Sequence, residues 1–152
     1  MKHPKLNPSA LFLITFASGV FLTWIQPWHL TYYMDDAVVR LIGAVILCIS
    51  LILNTLAYRE FKKCLTPHAP FVKPTVLIKN GVFALSRNPV YLALVLSECG
   101  LAFVFNTLWL LFSATVLLIV LDTVIIRGEE KVLKSTFNND YEYYKKQTRR
   151  WL

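Results

Sequence analysis

Three groups of residues have the types and spacing to do chemistry. The first is Asn80-Gly81-Val82-Phe83-Ala84-Leu85-Ser86-Arg87-Asn88-Pro89-Val90-Tyr91. Gly81 permits a turn or a close backbone approach. Pro89 suits the first turn of a helix, with Ser86 to Asn88 positioned to cap it. A helix start of this kind offers unpaired N–H groups to a carboxylate or phosphate. It is equally an ordinary capped helix with Arg87 among lipid headgroups. The second group is Glu129-Glu130, set in a basic segment. The pair could receive a cationic or polyhydroxy ligand, or simply be first-turn carboxylates favoured by the helix dipole. The third is Asn54, Glu98 and Asp122, polar groups within apolar runs. Ionisable residues there are costly and suggest function, with helix–helix hydrogen bonding as the plain alternative.

The elements that must position these groups are apolar. The chain has 152 residues, 56% hydrophobic and 16% charged. Water-soluble domains carry about a quarter charged residues. Lys and Arg number 16 against 9 Asp and Glu, a net charge of +7. That excess alone could suggest nucleic acid, but the Lys and Arg residues fall before residue 10, between Arg59 and Arg87, and from Arg127 onward, with Arg40 the exception. Long uncharged runs separate them, which no nucleic-acid-binding domain of this size requires. An integral membrane protein is expected, all-α and a single domain over residues 1–152, with no nucleic-acid partner.

Crossing a bilayer as a helix takes roughly 20 mainly apolar residues. Four runs qualify or nearly so, at about residues 9–28, 37–58, 89–105 and 108–126. Asn106-Thr107 is the only polar break between the last two, which predicts a tight helical hairpin. The two short connections, at residues 28–36 and at Asn106, contain no Lys or Arg. The positive-inside rule then places both termini and the 59–88 loop in the cytoplasm. That loop is proline-rich and reads as ordered irregular structure rather than a flexible linker. The tail 127–152 reads as an amphipathic helix, with Val132, Leu133 and Phe137 on one face and Tyr141 and Tyr144 continuing it past a break at Asn138-Asn139. Such a helix would lie on the membrane surface, among anionic lipids, or fold back over the loop. Cys48, Cys64 and Cys99 have no metal-like spacing and read as packing residues, so no metal site is expected.

Taken in order, these motifs resemble a known family. Gly81-x-Phe83-x-x-Ser86-Arg87-Asn88-Pro89-x-Tyr91, an apolar hairpin, Glu129-Glu130, Phe137-x-x-x-Tyr141-x-x-Tyr144 and the Arg149-Arg150-Trp151 ending resemble the isoprenylcysteine carboxyl methyltransferase and phospholipid methyltransferase superfamily. The likeness covers about residues 54–152 and is nearest to small bacterial members, which implies a bacterial inner membrane. It implies S-adenosylmethionine as cofactor, held on the cytoplasmic side by the loop, the helix start and the Glu-Glu tail. By position, Thr75, Val76, Leu77 and Ile78 would give backbone contacts. Phe83 takes the family's aromatic position, and Asn88, Pro89, Val90 and Tyr91 its helix-start contacts. Glu129, with Glu130 beside it, would bind polar groups of the cofactor. His68 falls where eukaryotic carboxyl methyltransferases have a polar contact.

Three positions depart from the family pattern. Asn88 stands where many members have His; it keeps hydrogen bonding but cannot act as a base near neutral pH. Phe83 replaces the usual Tyr, keeping the ring and losing the hydroxyl. Asn138 replaces a typical Gly, and Asn enters left-handed conformations more readily than most residues.

The implied chemistry suits this layout. A sulfonium methyl donor needs in-line approach and a dry site more than a proton relay. A carboxylate acceptor needs no base, whereas an amine must arrive neutral or lose a proton. The lipophilic acceptor would enter from the bilayer between helices, with Arg87 or Arg127 orienting an anionic headgroup. Two rival readings remain from sequence: a sterol-reductase-like, NADPH-dependent membrane enzyme, and a non-catalytic membrane scaffold holding anionic lipids.

Overall fold

The computed structural model describes residues 7–32, 35–64 and 75–152, and their regular structure is all helical. Five helices follow in order: α1 Pro8–Ile25, α2 Asp36–Lys63, α3 Pro89–Val104, α4 Leu108–Val120 and α5 Arg127–Gln147. Single 3-10 turns lie at Leu30–Tyr32 and Gly81–Ala84. Three helical runs are long and apolar enough to cross a membrane: α1, α2, and the run Leu108–Gln147 that joins α4 to α5. The apolar helix α3 is shorter, at 16 residues, or about 24 Å of rise.

Local chemistry explains the helix ends. Pro8 opens α1, and the Asn7 side chain accepts from the Ser9 N–H at 3.1 Å. The Asp35 carboxylate caps α2 through the Ala37 N–H at 2.9 Å. Hydropathy predicts that α2 ends at residue 58, yet the helix runs on to Lys63. Arg59 to Lys63 include no Pro or Gly, a Glu60–Lys63 pair spans 2.7 Å, and Lys62 and Lys63 suit the negative end of the dipole. The apolar run marks where the oil stops, not where the helix stops.

The helices pack in a row: α1 against α4, α4 against α3, and α3 most extensively against α2. Gly43 and Gly100 make the last contact possible. A Cβ on Gly43 would sit 2.8 Å from the Gly100 carbonyl oxygen, so these backbones touch. Further along, the Ser50 hydroxyl donates to the Ala93 carbonyl at 2.7 Å and lies 2.6 Å from the Ser97 hydroxyl. The outer faces stay apolar, with Leu13, Ile14, Leu41, Leu51 and Ile52 exposed, as expected of surfaces that meet lipid chains.

The hairpin between α3 and α4 forms at the expected residues. Asn106 takes a positive φ of 54°, and the Thr107 hydroxyl accepts from the Trp109 N–H at 3.3 Å. The Asn106 side chain then bonds Thr31 twice, at 3.0 and 2.8 Å, tying the two short connections together. At the opposite end the sequence reading needs adjusting. No loop separates α4 from the tail: a wide π-helical stretch, Leu121–Ile126, carries the chain straight into α5. Such insertions are rare and gather at functional sites. The predicted break in the tail is present as a kink at Asn138, with φ 44°.

Glu98 is fully buried between helices. Its carboxylate accepts from the Thr15 hydroxyl of α1 at 3.0 Å and from the Ser113 hydroxyl of α4 at 2.7 Å. The plain alternative holds for this residue: it is a helix–helix linker. Asn54 lies exposed on α2, at the edge of a cleft of about 280 Å³ between α2 and α3.

Candidate functional site

The site is built where α2 ends, α3 begins and the C-terminal segment returns. Gly81 starts the approach with φ 62°, and a Cβ there would sit 2.9 Å from a Glu60 carboxylate oxygen. The following 3-10 turn buries Val82 and Phe83 against Ala57 and Ile78. Phe61 of α2 meets Phe83 edge-on, with ring centroids 5.3 Å apart. The Phe83 carbonyl accepts the Tyr144 hydroxyl at 2.6 Å, so the α5 stripe folds back over this turn.

Residues 148–151 then run beside the start of α3. The Arg87 N–H donates to the Arg149 carbonyl at 3.0 Å. The Arg150 carbonyl accepts from Asn88 Nδ2 at 3.0 Å and from the Ser86 hydroxyl at 3.3 Å. Asn88 therefore does not cap α3 with its side chain, contrary to expectation. Its amide nitrogen is turned to the tail carbonyl instead. Ser86 instead accepts from the Asn88 N–H at 3.2 Å. With Pro89 lacking an N–H, the helix start keeps its partial positive charge unmatched by any side-chain cap.

Facing it is the first turn of α5. The Tyr91 hydroxyl donates to Glu129 Oε1 at 2.6 Å. Burial raises the Glu129 carboxyl above the ordinary carboxylate range, and the Tyr91 bond draws it partly back. Glu130 accepts from Arg87 Nη2 at 3.0 Å and from Arg150 Nη2 at 2.8 Å. The Arg87 side chain is only 8% exposed, yet its Nε and Nη1 have no hydrogen-bond partner among the described residues. Unpaired buried donors are expensive and mark a place where an acceptor is wanted.

The structure thus brings Arg87, Asn88, Pro89, Val90, Tyr91, Glu129 and Glu130 into one cluster. Ile78 and Phe83 belong to the apolar patch that supports it. Thr75 and Val76 are exposed and Leu77 half-buried just before the turn. Arg127 is exposed and joins no ion pair among the described residues. His68 lies outside the described residues.

Sequence reasoning missed Arg150 as a partner in this cluster and left Asp122 without one. Arg150 Nη1 lies 3.2 Å from both Asp122 oxygens, and Trp151 Nε1 donates to Asp122 Oδ1 at 3.0 Å. One signal was present: a carboxylate inside an apolar run needs a cation, and the basic-Trp ending had no other assignment.

A family model for phospholipid methyltransferases matches residues 38–140, two thirds of the chain and every element of the cluster except the returning tail. The chain belongs to the phospholipid methyltransferase family. Members of this family are membrane methyltransferases, which agrees with apolar helices carrying a polar cluster at one end and does not favour the reductase reading. Comparisons with curated proteins and with solved structures find no significant match.

Proposed function

We propose that this phospholipid methyltransferase family member crosses the membrane four times and transfers a methyl group from S-adenosylmethionine to a lipophilic acceptor at the cytoplasmic face. The observation that carries the reading is the meeting of the uncapped α3 start with Glu129 through the 2.6 Å Tyr91 bond. The polar end of the molecule, where α1 begins and the C-terminal segment returns, is also its basic end, and the positive-inside rule assigns it to the cytoplasm. A short α3 can still span by local thinning of the bilayer and by using its flanking residues.

The residues present fit the cofactor. Its amino-acid carboxylate matches the unpaired Nε and Nη1 of Arg87 and the positive helix start. Its hydroxyl or ammonium groups match the Glu129 carboxylate. Bound there, S-adenosylmethionine would supply an electrophilic methyl group carried on sulfonium sulfur.

The chain's own residues have three tasks. Tyr91 orients Glu129 by donating to one oxygen, leaving a carboxylate of fixed direction. Arg87 and Arg150 neutralise Glu130 and hold the helix start against the tail. The apolar helices exclude water and deliver a greasy acceptor at the right depth. No side chain has to act as a base when the acceptor is a carboxylate, and a neutral amine needs only a later proton loss to water.

Detergent-solubilised protein titrated with S-adenosylhomocysteine and, separately, with NADPH tests this reading. Binding of the first is expected, together with transfer of labelled methyl into a membrane lipid extract. Binding of NADPH alone would overturn it, and binding of neither would leave the scaffold reading.

A further inference from the structure

Asp122 lies in the π-helical stretch Leu121–Ile126 and bonds none of the residues assigned to the cofactor. Its carboxylate instead takes the Arg150 guanidinium, 3.2 Å to each oxygen, and the Trp151 indole N–H at 3.0 Å. From its other edge the same guanidinium reaches Glu130, Nε at 3.1 Å and Nη2 at 2.8 Å. Arg87 closes the row on the far side of Glu130 at 3.0 Å. Four charges therefore alternate, Asp122, Arg150, Glu130 and Arg87, with no net charge.

The helix geometry makes this possible. Asp122 and Glu130 are eight residues apart, about 2.2 turns of a regular α-helix, which would leave their side chains offset by about 80° around the axis. The wider turns between them take up the excess and set both carboxylates against one guanidinium. Arginine presents its donors in a rigid planar fork, so fixing one edge fixes the other. The Trp151 ring packs beside the apolar cluster of Leu121 and Ile125, which anchors the tail whose Arg150 carbonyl holds Asn88 at 3.0 Å.

We propose that Asp122 is a positioning residue: acting through Arg150, it sets the direction of Glu130 and seats the C-terminal segment on Asn88, and so tunes the affinity of the cofactor site without touching the cofactor. This role rests on the cofactor reading above. An ion pair serving packing alone would leave ligand affinity unmoved once the protein is folded.

The test uses the full chain in detergent, with Asp122→Asn, Asp122→Glu and Arg150→Lys. Each is followed by S-adenosylhomocysteine titration, thermal unfolding and amide hydrogen exchange without ligand. Asp122→Asn and Arg150→Lys should weaken binding about tenfold, within the usual span of coupling between sites. Both should speed exchange at the Arg87 amide, which the tail protects, and Asp122→Glu should restore affinity and protection. Folded Asp122→Asn or Arg150→Lys with wild-type affinity overturns the role, as does a lowered unfolding midpoint with affinity intact. Wild-type protein that takes up no S-adenosylhomocysteine removes the cofactor reading and this role with it. Wild-type binding with unmoved variants removes only the role.

Discussion

The Tyr91 hydroxyl donates to the Glu129 carboxylate across 2.6 Å, and that bond joins the first turn of α3 to the first turn of α5. The two residues are 38 apart in sequence, separated by the whole apolar hairpin. Any ligand placed between these helix starts meets a carboxylate whose direction is set by a phenol and whose charge is opposed by burial.

Glu129→Gln should weaken S-adenosylhomocysteine binding by about 1–3 kcal/mol, the scale for losing a hydrogen bond to a charged group. Tyr91→Phe should cost less, about 1 kcal/mol, because the carboxylate stays and only its tether goes. Because burial raises the Glu129 carboxyl, affinity should be full above that raised value and fall as pH drops through it. The fall should come at a higher pH than an ordinary carboxylate would give, and Glu129→Gln should abolish it. Titration calorimetry across pH checks all three, and equal affinity in Glu129→Gln would leave Glu129 only its packing role as the partner of Tyr91.

Asn88 and Glu98 should separate ligand binding from helix packing. Asn88→Ala removes the amide that holds the Arg150 carbonyl and should lower cofactor affinity. Glu98→Ala removes the interhelical bonds from Thr15 and Ser113, leaves those hydroxyls only carbonyls of their own helices, and should cost about 1–3 kcal/mol of stability, with cofactor affinity near wild type. Thermal unfolding and ligand titration on the same preparations decide it. Loss of binding in a stable Glu98→Ala protein would mean that the cluster reaches deeper than the helix starts.

Topology can be read with single cysteines in a background lacking Cys48, Cys64 and Cys99. Lys79→Cys and Lys146→Cys should react with an impermeant maleimide only from the cytoplasmic side, and Thr31→Cys only from the other. Labelling of Lys146→Cys from outside would reverse the orientation.

Gly43→Ala should destabilise the α2–α3 pair by about 1–3 kcal/mol. The added methyl would lie 2.8 Å from backbone atoms of Gly100 and Val104, and backbone cannot yield as a flexible side chain can. An unchanged unfolding midpoint in detergent would show that the two helices part more easily than their packing implies.

The sequence by itself determined what depends on neighbours along the chain. The uncharged apolar runs, Pro89 at a helix start, the Asn106 turn and the Asn138 kink are local choices of solvent and dihedral angle, and each stands where it was expected. The resemblance in motif order likewise identified the family. Hydropathy misplaced the end of α2, because a helix continues past the membrane edge wherever propensity and end charges favour it. It also hid the π-helical join of α4 to α5, since an extra residue in a turn leaves composition untouched. Only the tertiary structure decided the partners of the polar groups. Glu98 turned out to link helices, while Asp122 turned out to hold the tail through Arg150, although both read alike as carboxylates in apolar runs. The reason is physical: a buried polar group takes whichever partner the packing brings to it, and for the Asn88 amide the accepting carbonyl came from 62 residues away.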